Sequence, residues 1–291
     1  MCLAFRRFVA VIVVAALAGG CASVKPHVTA STRQPQRVLH VVADPNNLPF
    51  SNDKLEGFEN KIAEVVARRL NAKLEYSWRA QRRGFFRHAF NDDGGDVVLG
   101  VPAGFERALT TSPYYRSSYV FVWRKDRNLD IRSFNDPGLR DLKIGVQLVG
   151  DDGADTPPVH ALARRGIVNN IVGFTLYGDY TRPNPPSRIM EAVIKGDVDV
   201  AVVWGPLAGF FARRSVDVPL EIAPVMPAID PPGMQFAFSI AMGVRKDDAA
   251  LRDELNAVLM AERVAIERIL DNYGVPRVTT QRATVTEAGG G

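Results

Sequence analysis

Cysteine is almost absent: the 291 residues contain two, Cys2 and Cys21, both near the N-terminus. Residues 22–291 therefore hold no disulfide and no thiolate metal site. Histidine is nearly as sparse. The four, His27, His40, His88 and His160, are scattered, and none has a partner at metal-ligand spacing. No Gly-X-Ser-X-Gly, HExxH or P-loop pattern occurs, so the chain reads as a non-enzyme, with no metal and no cofactor expected. No run of Lys and Arg exceeds a pair, which argues against nucleic acid despite the net charge of +4. What is present is ordinary globular material: 46% hydrophobic and 23% charged residues, with 24 Gly and 19 Pro, excludes a disordered, collagen-like or coiled-coil chain.

The N-terminal residues read as an export signal rather than as fold. Arg6 and Arg7 precede an unbroken apolar run of 11 residues, 8–18, and small residues follow. Such a run is too short for a bilayer core of ~30 Å but matches the apolar region of a secretory signal peptide. Cleavage after Ala22 would remove both cysteines. Alternatively Leu17-Ala18-Gly19-Gly20-Cys21 resembles a lipobox, and Cys21 would then carry a lipid anchor. Residues 1–22 are thus expected to be a signal peptide, 23–36 a linker, and the destination a periplasm-like space. Without Arg6 and Arg7 the chain has 34 basic and 32 acidic residues, nearly balanced.

Beyond the linker, apolar periodicity alternates between two and 3.6. Strands are expected at 38–43, 73–78 and 96–101, with helices at 57–70 and 82–90 between them. A strand at 118–123 leads without a helix into a second series: strands near 142–146, 171–177 and 198–203, and helices near 159–165, 187–195 and 207–214. After a Pro-rich loop, 224–233, come a strand at 236–244 and one long helix at 248–270. Strands alternating with helices imply parallel sheets covered on their faces. Two such units joined by two crossings, near 123–126 and 229–236, predict an α/β two-lobed clamshell. Lobe 1 would comprise 37–124 plus 235–278 and lobe 2 residues 125–234, with a disordered tail at 279–291. Ligands in such folds sit between the lobes, at the carboxyl ends of strands.

Several segments carry a family resemblance over about residues 37–277. Gly57-Phe58-Glu59-Asn60-Lys61-Ile62-Ala63, Phe105-Glu106-Arg107-Ala108 and Ser112-Pro113-Tyr114-Tyr115 resemble extracytoplasmic solute-binding proteins of the amino-acid type (family 3, type II clamshells). Ala43-Asp44-Pro45-Asn46-Asn47-Leu48-Pro49-Phe50, Gln81-Arg82-Arg83-Gly84-Phe85, Gly145-Val146-Gln147-Leu148-Val149-Gly150-Asp151-Asp152, Tyr177-Gly178-Asp179-Tyr180 and Val203-Trp204-Gly205-Pro206 resemble one subgroup. That subgroup is the quinoprotein-dehydrogenase-associated, MoxJ/XoxJ group of methanol oxidation accessories. It implies a partner, a PQQ-dependent alcohol or methanol dehydrogenase, with its cytochrome c as a further contact, or else an ABC permease; a monomer is the default.

The same resemblance assigns site residues. Arg107 stands where such binders pair an Arg with the ligand carboxylate, a geometry a guanidinium fork matches; the alternative is a structural pair with Glu59 or Asp44. Phe50 corresponds to the aromatic over the ligand, or else is a lid on the lobe core. Asp44 and Asn46 face the cleft or cap a turn. Glu59 is expected to be exposed or an Arg partner. Two departures bear on the ligand. Where the family presents Gly-Thr-Thr, this chain has Val149-Gly150-Asp151-Asp152-Gly153, which repels an anion. Where the family has an Asp for the ammonium, this chain has Trp204, whose indole cannot neutralise a buried charge. The expected cleft residues are therefore Asp44, Asn46, Phe50, Arg107, Asp151 and Trp204, around a ligand other than an ordinary amino acid.

Overall fold

The computed structural model describes residues 37–82, 84–149, 154–175, 180–181 and 183–278. The expected signal peptide, linker and tail, and the candidate residue Asp151, lie outside these residues.

The first lobe begins with β1 (Val38–Ala43), α1 (Phe58–Arg69), β2 (Lys73–Trp78), α2 (Phe85–Asn91) and β3 (Val97–Pro102). β1 lies between β2 and β3 and runs parallel to both. A long strand, β4 (Tyr115–Arg124), then leads into the second lobe. There β5 (Ile144–Val149), α3 (Pro157–Ala163), β6 (Ile171–Thr175), α4 (Arg188–Lys195), β7 (Val200–Trp204), α5 (Gly205–Ala212) and β8 (Leu220–Pro224) follow in turn. β5 sits between β6 and β7, parallel to both. The chain returns through β9 (Ala237–Val244), antiparallel to β3, and ends in α6 (Ala249–Ala261) and α7 (Arg263–Asn272). Across both lobes the strand order is β6-β5-β7-β4-β9-β3-β1-β2, with β8 on the other edge of β4. This is the two-lobed α/β architecture that the alternation of periods implies.

Each lobe has its own core. Leu39, Phe58, Ile62, Val66, Met242 and Leu255 pack in the first; Phe121, Trp123, Phe134, Ile144 and Phe236 pack in the second. β7 is apolar almost throughout because a central parallel strand is covered on both faces. Trp123 is buried in the second core.

The crossings differ in detail from the expectation. Residues 115–118 of β4 pair with β9, whereas residues 119–124 pair with β7 and β8. The strand thus changes lobes between Ser118 and Tyr119, ahead of 123–126, without interrupting its extended backbone. Periodicity sees one strand because there is one strand. On the return, Phe236 is still packed against Phe134 in the second core, ring centroids 5.0 Å apart, and β9 starts at the next residue. The single long helix expected at 248–270 is two, separated at Glu262. Its buried stripe, Leu251, Leu255, Val258, Leu259, Ile266 and Leu270, stays in phase through the break, so sequence spacing could not reveal it.

One local device sets up the cleft. The loop after β1 folds back onto the start of α1: the N–H groups of Phe58 and Glu59 donate to the carbonyls of Pro49 (2.8 Å) and Phe50 (2.9 Å). Asn60 Oδ1 accepts from the backbone of both Gly57 and Asn52, each at 3.1 Å. The otherwise orphaned donors of the helix start are thus satisfied within the protein. The approach requires glycine, since a Cβ on Gly57 would lie 2.0 Å from the Phe50 carbonyl oxygen. Gly57→Ala is accordingly expected to displace this loop and destabilise the protein by about 3 kcal/mol, measured by urea unfolding.

Candidate functional site

Between the lobes lies a cavity of about 340 Å³. The first lobe contributes the end of β1 (Ala43, Asp44), the returning loop (Asn47, Phe50, Ser51), the start of α1 (Glu59, Asn60), Tyr76 and part of β3 and β9. The second lobe contributes Tyr119, Gln147, Pro157, Trp204 and Leu207. The lining is mainly apolar and aromatic, and among the described residues none that lines it is Lys, Arg or His.

Trp204 is placed by backbone chemistry. It ends β7 and caps α5, and its N–H donates to the Gln147 side-chain oxygen at 2.9 Å. Its ring meets Tyr119 at 5.5 Å and Phe238 at 6.0 Å in edge-on arrangements. Trp204 and Phe50 both line the cavity, so the structure brings these two sequence candidates together.

Asp44 and Asn46 have a different occupation. The Asp44 carboxyl accepts from the backbone N–H of Asn46 (2.8 Å) and of Gln81 (2.8 Å), and from the Tyr180 hydroxyl (2.7 Å). Asn46 Oδ1 accepts from the backbone N–H of Asn184 at 2.8 Å. Tyr180 and Asn184 belong to the stretch between β6 and α4, so both contacts tie the first lobe to the second. Arg82 lies over the Tyr180 ring, 5.4 Å from its centre. Burial, together with the Asp44 carboxyl, raises the Tyr180 phenol well above its ordinary pKa, which keeps it a donor. Asp44 lines the cavity but spends its oxygens on the closed arrangement.

Arg107 is exposed and is not part of the lining. The turn after β3 explains why. Phe105 packs against Phe86, ring centroids 4.6 Å apart, and Ala108 is buried, which leaves Glu106 and Arg107 facing outward. The carboxylate-binding arginine of amino-acid receptors therefore has no counterpart among the described residues lining this cavity.

Glu59 is the residue that sequence reasoning missed. It is half-buried and not paired with an arginine: the residue lines the cavity, and the loss of water around its carboxyl raises its pKa to about 8. No described residue forms an ion pair or hydrogen bond with the carboxyl. Burial likewise raises Tyr76 to about 12 and holds Tyr114 and Tyr115 well above the ordinary phenol range, with Glu59 adding to each shift. A signal was present in the sequence. Gly100 interrupts the apolar run of β3, and a Cβ there would stand 2.3 Å from Glu59 Oε1. Glycine inside a strand marks such a close approach. Perturbed carboxyls of this kind concentrate in binding and active sites.

Comparisons with known proteins bear on the family and the fold. No family model matches the chain. Protein MoxJ of Methylorubrum extorquens is 34% identical over 239 residues, 78% of this chain and 78% of that protein. Protein MoxJ of Paracoccus denitrificans is 31% identical over 256 residues, 82% of this chain and 88% of that protein. The chain belongs to the MoxJ/XoxJ family. The crystal structure of the periplasmic binding protein XoxJ from Methylobacterium extorquens AM1 matches with a TM-score of 0.68 at 34% identity, over 84% of this chain and 100% of that one. An ancestral cationic amino acid solute binding protein, 20% identical with a TM-score of 0.62, shares the fold. The protein is thus a solute-binding-like member of this family with a clamshell fold. No helix among the described residues is long and apolar enough to cross a membrane.

Proposed function

We propose that this protein is a non-catalytic periplasmic accessory of a PQQ-dependent alcohol dehydrogenase of the methanol type, which it contacts during maturation or activation. Its kinship with the MoxJ proteins supports this reading. The observation that carries it is the cleft: among the described residues no cationic side chain lines it, and Asp44, a charged latch residue, is spent on lobe closure. An ordinary amino-acid receptor needs the opposite, a cation for the ligand carboxylate. With the lobes tied at Asp44 and Asn46, the dehydrogenase meets an outer surface rather than the cleft interior. Residues 1–22 direct export, by plain secretion or through a lipid at Cys21, and the cytochrome c of the dehydrogenase is a second candidate contact.

A second reading has one observation in its favour. A cavity of about 340 Å³ suits a small solute, and a receptor that hands such a solute to an ABC permease would need one. Immobilised protein from residue 23 onward, titrated with the dehydrogenase of the same organism, separates the two. Micromolar or tighter binding that survives Trp204→Ala supports the accessory acting through its outer surface. Absence of binding at high concentration and low salt overturns it in favour of the receptor.

A further inference from the structure

We infer that the cavity is a binding site for a small organic cation, an ammonium group carried on an apolar or aromatic body, with Glu59 as its counter-ion. This goes beyond the accessory role and does not depend on it. Three observations converge on the chemistry. First, the Glu59 carboxyl faces the cavity with no ion pair or hydrogen bond from a described residue. A buried carboxyl left in that state is costly to the fold unless something else uses it. Second, two more polar atoms in the same wall are buried and unsatisfied, Asn60 Nδ2 and Tyr76 Oη. The two residues are near neighbours, but their contact does not reach hydrogen-bond geometry. Asn60 cannot turn away, because its Oδ1 is fixed by the backbone of Gly57 and Asn52. Third, the facing wall is aromatic: Trp204, Tyr119 and Phe238 form one continuous edge-on cluster.

Together these select charge sign and shape. A carboxylate-bearing solute would meet Glu59 with no Lys, Arg or His among the described lining residues to balance it. A purely apolar solute would fill the aromatic half and leave the Glu59 carboxyl and the Tyr76 oxygen, both able to accept from an ammonium, without a partner. An ammonium ion pairs with Glu59 while aromatic faces hold its body, and both attractions strengthen as the bound ligand displaces water. On binding, Glu59 gives up its proton to water and becomes the carboxylate of the pair; no bond to the ligand forms.

The test uses the protein from residue 23 onward, isothermal calorimetry at pH 6.5, and three probes of equal size: benzylammonium, benzyl alcohol and benzoate. Benzylammonium is expected to bind at least about tenfold more tightly than the alcohol, and benzoate not at all. The heat measured in buffers of different ionisation enthalpy should show close to one proton released per benzylammonium bound. Glu59→Gln should remove the preference for the cation and the proton release, and Trp204→Ala should weaken all binding while retaining proton release. Equal affinity for cation and alcohol, binding of benzoate, or binding without proton release overturns the inference, as does silence from all three probes at the highest concentration each reaches in solution. The proton count is read on the unmodified protein, so it decides the matter even if Glu59→Gln fails to fold. Loss of dehydrogenase binding in the preceding assay leaves these outcomes untouched.

Discussion

Asp44→Ala is expected to lower the unfolding free energy by about 3 kcal/mol or more and to loosen the clamshell. Three donors lose their acceptor at once: the backbone N–H groups of Asn46 and Gln81 and the Tyr180 hydroxyl. Asp44 is 3% exposed, so water cannot replace it without rearrangement. Each donor left unsatisfied in such a setting costs roughly 1–3 kcal/mol. Two controls separate the local role from the bridging one. Tyr180→Phe removes only the contact between lobes and should cost about 1 kcal/mol, the net value of one hydrogen bond. Asp44→Asn retains one acceptor oxygen and should fall between the two. Urea unfolding gives the stabilities, and small-angle scattering gives the radius of gyration, which should rise for Tyr180→Phe and rise further for Asp44→Ala. If Tyr180→Phe leaves the scattering unchanged, the Asp44–Tyr180 contact does not govern closure.

Much of this arrangement is legible in the sequence, and the parts that are not share a cause. The apolar stripe Phe58, Ile62, Val65 and Val66 places α1, and the apolar run of β7 places a buried strand whose end, Trp204, must meet the cleft. Those are local patterns, fixed by neighbours three, four or two residues away. Asp44 and Asn46 also reach the cleft, but their partners lie at Tyr180 and Asn184, and no local pattern says that a turn-forming Asp will hold another lobe. Arg107 fails for the converse reason. Its motif matches, yet the turn around it is set by which side chains fill the core, and Phe105 and Ala108 take the inward places. Glu59 sits next to Phe58 on the helix and looks polar and outward from its own stripe. It is enclosed by residues from β3 and by the tyrosines at and just before the start of β4, which only the tertiary fold brings over the end of α1.

That enclosure gives Glu59 a second measurable consequence, in the pH dependence of stability. Its ordinary pKa of 4.5 rises to about 8 in the folded protein because burial disfavours the charged form. Between these values the folded state keeps a proton that the unfolded chain releases. The folded state then binds more protons than the unfolded state, so the unfolding free energy must fall as pH rises. The contribution is complete below about pH 4.5 and is lost by about pH 8, with a limiting slope of about 1.4 kcal/mol per pH unit. Glu59→Gln retains the shape and mimics the protonated carboxyl at every pH. The two proteins should therefore be close in stability at pH 5, whereas at pH 9 the Gln variant should be the more stable by roughly 3–5 kcal/mol. Other carboxyls titrate in both proteins, among them Asp230, whose pKa is lowered by its hydrogen bond to Arg165, so they cancel in the difference. Urea unfolding of the pair at intervals from pH 5 to pH 9 reads that difference directly. Parallel curves would mean that Glu59 already has a partner or solvent in the free protein, and the cavity would then lack the uncompensated acid on which cation binding depends.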